Sequence, residues 1–181
     1  MKCRRMWAVC SVWLAFAMTA CSLPVLDSSA ATATPEVLAQ WAATAEASSQ
    51  YGLPDWSAAR ATGSPEVDAC ADDPRAWASL RGRGVEWLTL TYPESVYAVE
   101  VQIHQSFGRG AISRITLFDS SDEPHVVWEG NDERDPCPGV LIVRMPQTAY
   151  ATRRVRVDLD ESRTEQWNQI DAVELVGVLA P

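Results

Sequence analysis

Apolar and polar residues alternate with a period of two along most of the chain. In Glu86-Trp87-Leu88-Thr89-Leu90-Thr91-Tyr92, Leu88 and Leu90 share one face. Val99, Val101 and Ile103 alternate with Glu100, Gln102 and His104, and Val155, Val157 and Leu159 with Arg154, Arg156 and Asp158. Such alternation predicts strands with one buried face. Residues 114–118 and 126–128 are shorter runs of strand type, and 170–178 closes the series. The stretch 140–145 is nearly all apolar, which predicts a strand covered on both faces. Turn signals separate the runs: Tyr92-Pro93, Gly108 with Gly110, Asp122-Glu123-Pro124, Asp135-Pro136-Cys137-Pro138-Gly139, and 160–168. About eight short strands with no helical spacer predict an all-β fold, an antiparallel β-sandwich filling one domain over residues 43–181.

The segment before the sandwich reads two ways. Thr34-Pro35-Glu36 has the form of a helix start, with Val37, Leu38 and Trp41 on one side, whereas 43–48 alternates like a strand. A short helical lead-in followed by a first strand satisfies both patterns.

The N-terminus follows a different logic. Lys2, Arg4 and Arg5 precede an apolar run, Trp7–Ala20, of 14 residues. That length suits the apolar region of a signal peptide and falls short of the roughly 20 residues a spanning helix needs. Met18-Thr19-Ala20-Cys21 resembles the bacterial lipobox. The resemblance implies a signal peptide over 1–20, a lipid on Cys21 that anchors the chain to the membrane, and a flexible tether within 21–42. The alternative is an ordinary signal peptide cut after Ala20. Ser22 follows the cysteine where an inner-membrane retention signal would have Asp, so the expected address in a two-membrane bacterium is the outer membrane, on the exported side.

Charge narrows the partners. Without the leader's three cations the chain keeps 12 basic residues, all Arg, against 24 acidic ones, a net charge near −12. An acidic surface argues against nucleic acid and anionic headgroups. Cys3 and Cys10 fall in the leader and Cys21 takes the lipid, leaving Cys70 and Cys137 as an even pair in an oxidising setting, which predicts a disulfide.

Several blocks together resemble a known family: "YGLPDWSAARATGSPEVDAC" with "AWAS", "VEWLTLTYPESVYAVEVQIHQSFGRGAI", "VVWEG" and "RRVRVDLD…WNQIDAVELVG". They resemble the galactose-binding-like jelly-roll modules of the pappalysin SD-scarf type and, more distantly, discoidin domains, over about residues 43–179. The family more often has an Asn-Pro-Gly turn where this chain has Phe107-Gly108-Arg109-Gly110. The resemblance implies a non-catalytic binding module on a fold that hosts glycan, lipid and protein binders.

Candidate chemistry fits that expectation. His104 and His125 are the only histidines, and no nucleophile elbow, zinc-protease motif or phosphate loop appears, so catalysis is not expected. Trp56 and Trp167 lie in turn-rich stretches and are candidates for stacking on a ligand, with loop packing as the alternative. Arg81 and Arg109 sit on Gly-flanked turns and are candidates for polar contacts, with solvated ion pairs as the alternative. Acidic groups at Asp68/Asp72/Asp73, Asp119/Asp122/Glu123 and Asn131/Asp132/Glu133/Asp135 either hold a structural Ca²⁺ or are solvated loop charge. Two functions remain open: recognition of an envelope glycan or other surface ligand, or a protein-interaction subunit of an envelope assembly. A Trp-lined groove favours the first, a flat apolar patch the second.

Overall fold

The computed structural model describes residues 36–164 and 166–181. The leader, Cys21 and the start of the tether lie outside the described residues. Among the described residues nine strands carry the fold: β1 (Val37–Trp41), β2 (Thr44–Ala47), β3 (Trp77–Ala78), β4 (Val85–Phe107), β5 (Ile112–Asp119), β6 (Pro124–Glu129), β7 (Gly139–Arg144), β8 (Thr152–Asp160) and β9 (Gln169–Leu179). Two short 3-10 turns, Ala58–Ala61 and Glu161–Arg163, are the only helical segments among the described residues. Every strand pairing is antiparallel, in the order β1-β9-β4-β8-β5-β6, with β2 and β7 also on β4 and β3 on β9. The fold is the all-β antiparallel sandwich that the alternation predicts.

One strand joins its two layers. The first part of β4 pairs with β2 and β8, and from Val96 onward β4 pairs with β9 and β7. Tyr92-Pro93, expected as a turn between two strands, lies inside this strand. Pro93 has no N–H to give to a ladder, and the β8 register shifts between Thr91 and Val96. The side chain of Gln40 holds the irregular stretch, donating to the Glu94 carbonyl at 2.9 Å and accepting from the Glu94 N–H at 3.1 Å. A second irregularity leaves Val99 opposite no partner on β9, so the buried parity passes from Val96 and Ala98 to Val101 and Ile103.

The core fills from both layers: Leu88, Leu90 and Tyr92 with Ile115, Leu117, Val155, Val157 and Leu159 from one, Val101, Ile103, Val173 and Leu175 from the other. Trp77 is wholly buried and donates from its indole to the Ser49 carbonyl at 3.1 Å, a packing role. Two expectations are corrected. Val37–Trp41 is a strand paired along its length with β9, so the sandwich begins at Val37, before the boundary at 43, and the helical lead-in is absent. Unpaired edge groups on β9 supply partners that outweigh the weak helix signal. Second, β7 pairs only with β4, with Val143 buried and Ile142 42 % exposed, so this apolar run forms an edge strand with one open face.

The cysteine expectation holds. Cys70 and Cys137 form a disulfide with Cα atoms 5.2 Å apart, tying the loop before β3 to the loop before β7. Closing a loop of that length stabilises by up to roughly 4 kcal/mol on the chain-entropy argument.

Candidate functional site

At one end of the sandwich two connections and three strand ends converge on a small aromatic slot. The β2–β3 connection supplies Tyr51, Trp56 and Asp72, β3 supplies Ala78, Phe107 ends β4, and the β8–β9 connection supplies Trp167 just before Gln169. The slot holds about 70 Å³. Tyr51 stands edge-on to both tryptophans: its ring centroid lies 5.4 Å from that of Trp56 at 76° and 5.8 Å from that of Trp167 at 80°.

Local structure holds each ring in place. The N–H of Tyr51 donates to the Ala78 carbonyl at 2.9 Å, the N–H of Trp56 to Pro74, and the N–H of Ala78 back to Trp56, so β3 serves as the frame. Trp56 adopts φ +52°, a left-handed conformation costing a bulky residue about 1–3 kcal/mol. The surrounding hydrogen bonds impose it. Its indole donates to Asp72 Oδ1 at 2.9 Å, and the Gln169 amide donates to the same oxygen. Asp72 Oδ2 and the Tyr51 hydroxyl have no hydrogen-bond partner among the described residues.

Trp167 is 39 % exposed and pinned by its indole, which donates to the Ser79 carbonyl at 3.1 Å. Gly108, at φ +59°, lies so close beneath it that a Cβ would stand 1.9 Å from the Trp167 carbonyl oxygen. Gly82 packs on its other side, where a Cβ would stand 3.0 Å from its backbone nitrogen. Both turns singled out in the sequence for their arginines are therefore the turns that seat Trp167. Beneath them Glu161 is fully buried. Ser79 Oγ donates to its Oε2 at 2.8 Å, while Oε1 has no partner, and burial raises the carboxyl to about 7.

The four ligand candidates separate. Trp56 and Trp167 line one slot. Arg81 is exposed on the turn beside Trp167 and does not line the slot. The Arg109 side chain is 3 % exposed, paired with Asp132 at 3.4 Å and donating to the Pro136 carbonyl, where it braces the loop of Cys137. Tyr51, Asp72, Phe107 and Gln169 complete the lining. Tyr51 carries the same signal as Trp56, an aromatic in a Gly/Pro-rich turn. Asp72 was visible only as loop charge, and Phe107 and Gln169 look like ordinary strand ends.

The acidic groups mostly find donors within the protein. Asp73 pairs with Arg75 at 2.7 Å, Asp132 accepts from the Gly110 N–H and Arg109, and Asp119 accepts from the backbone of Ser121 and Glu123 and contacts His125 at 3.1 Å. Among the described residues no three His, Cys, Asp or Glu side chains gather into a group that could hold a metal ion. His125 stacks on Tyr150 at 3.8 Å, and His104 stands edge-on to Trp41 with burial lowering its pKa, so the two histidines lie apart on separate aromatic partners. No described helix is long and apolar enough to cross a membrane.

The chain is similar in fold to solved carbohydrate-binding modules. Chitosan-binding module 1 of a chitosanase/glucanase from Paenibacillus sp. IK-5 is 22 % identical, with a TM-score of 0.54 over 74 % of this chain and 94 % of that one. The family 32 carbohydrate-binding module of C. perfringens NanJ, in complex with galactose, is 15 % identical, with a TM-score of 0.56 over 77 % and 99 %. A pectin-binding module is 14 % identical, with a TM-score of 0.54 over 78 % and 91 %. No curated protein sequence matches the chain. The profile of the C-terminal SD scarf domain of pappalysin-1 matches residues 30–180. With that profile spanning nearly the whole chain and the jelly-roll sandwich beneath it, this protein belongs to the pappalysin SD scarf domain family.

Proposed function

We propose that this protein is a non-catalytic glycan-binding module that takes its ligand at the slot of Tyr51, Trp56 and Trp167. The observation that carries the reading is the convergence of aromatic rings from separate connections on one end of a rigid sandwich, with two of them substantially exposed: Tyr51 at 53 % and Trp167 at 39 %. A sugar ring offers apolar C–H faces and a rim of hydroxyls. Aromatic faces desolvate the first at about 25 cal/mol per Å² of apolar surface, and the free oxygens of Asp72 and Tyr51 serve the second. The modules named above bind chitosan, galactose and pectin, which supports a saccharide as the ligand class. The expected setting is the cell envelope, with the chain exported and held by lipid on Cys21.

The test is a screen of the intact chain against immobilised envelope and plant-type polysaccharides, repeated with Tyr51→Ala and Trp167→Ala. Each variant should lose at least roughly ten-fold in affinity, about 1.4 kcal/mol, while Tyr51→Ala melts like the parent. A ligand bound equally well by both folded variants would place recognition elsewhere on the molecule.

A further inference from the structure

The geometry points to a narrower ligand class for this slot: we infer that it receives an alkylammonium group, carried by a sugar with a free amine or by a choline-type headgroup. The inference rests on the reading that the slot is the ligand site and adds what enters it.

Three observations combine. Tyr51 meets Trp56 and Trp167 edge to face at 76° and 80°, so the slot is lined by three rings in mutual contact. The faces of aromatic rings are the negative ends of their quadrupoles, and a face left open beside the slot attracts a cation. The second observation is Asp72. Asp72 is exposed; its Oδ1 is held by the Trp56 indole and the Gln169 amide, which orients the carboxylate, while Oδ2 is left to solvent by the donors of the described residues. Third, no Arg, Lys or His lines the slot: Arg109 is turned inward to Asp132, and Arg81 lies outside the lining. An acidic sugar would meet a carboxylate with no guanidinium to offset it, whereas an ammonium would add a charge pair to the hydrogen bond that a hydroxyl makes.

The slot is small, at about 70 Å³, and partly open to solvent. The ammonium would enter the slot, and the rest of the ligand would rest on the outward faces of Tyr51 and Trp167.

Titration calorimetry on the full chain in mildly acidic buffer, where amines are protonated, tests this. The probes are a glucosamine hexamer, its fully N-acetylated counterpart, an oligogalacturonate, tetramethylammonium chloride and phosphocholine. A cationic probe should bind at least roughly ten-fold more tightly than the N-acetylated or uronate chain, and tetramethylammonium should compete with it. Asp72→Asn keeps an oxygen for Trp56 and Gln169 but loses the charge, so it should fold normally and lose most of the preference; Tyr51→Ala should weaken every cationic probe. Glucosamine binding supports the amino-sugar source, and phosphocholine binding without any saccharide supports the headgroup source while overturning the glycan reading. Equal binding of the acetylated and free-amine hexamers, both abolished by Trp167→Ala, overturns the ammonium inference and leaves the glycan reading standing. Preference for the uronate, an unaltered preference in folded Asp72→Asn, or no binding of any cation overturns it as well.

Discussion

Glu161 shows how one side chain couples the loop end of the sandwich to pH. It is buried under the connection that carries Trp167, and burial raises its carboxyl from the ordinary 4.5 to about 7, with Ser79 opposing the shift. Between those two pH values the folded state holds a proton that the unfolded chain has released. Stability from this group is therefore complete below about 4.5 and declines as pH rises through 7, by up to about 3 kcal/mol in total. Glu161→Gln should melt at or slightly below the parent temperature at pH 5 and clearly above it at pH 8. A melting difference that does not change between those two buffers would rule out the buried charge as its cause. Trp56 and Arg109 show the limits of reading residues singly. Both stand on turns rich in Gly or Pro, yet one is turned into the slot at φ +52° and the other into an ion pair beside the disulfide loop.

Among the elements, β8 was the most legible. It lies between β4 and β5, with Val157 opposite Leu88 and Ile115, and its one-sided alternation is what a strand with one core face and one open face requires. Val157→Asp would bury a carboxylate with no partner and should cost several kcal/mol of a total near 5–15. Arg156→Ala, on the open face, removes a pairing with Asp158 and a contact over the Trp87 ring 4.9 Å away, and should cost about 1 kcal/mol or less. Urea titration of both variants checks the order, and a Val157→Asp midpoint close to that of Arg156→Ala would contradict the face assignment. The elements that were misread share a cause. A continuous apolar run looks the same at an edge as in a centre, so β7 read as doubly covered. A proline reads as a turn, so the long bent β4 read as two strands.

At the scale of the whole molecule, the described residues form one layered sandwich, and the proposed address rests on residues that precede them. On the proposed export and anchoring at Cys21, Cys21→Ser should abolish metabolic lipid labelling and move the protein from the detergent phase to the aqueous phase. Labelling that persists in that variant would show that the leader is processed another way. On that proposal, the excess of acidic residues would keep the anchored domain off anionic surfaces.

The sequence by itself determined the class of fold, the faces of the cleanest strands, the pairing of two cysteines and the family. Each of these follows from local periodicity, from counting, or from ordered blocks of residues, none of which needs a long-range contact. It also named Trp56 and Trp167, because large aromatics in turns are conspicuous. Only the tertiary structure decided that these two share a slot with Tyr51 and Asp72 while Arg81 and Arg109 do not. The slot is made by residues from two connections and three strand ends, more than a hundred positions apart from Tyr51 to Trp167, that meet only when β3 is seated on β9 and Gly108 and Gly82 let the backbone close against Trp167. Which way a turn side chain points depends on the partners folding brings to it, and for these residues those partners are distant in sequence.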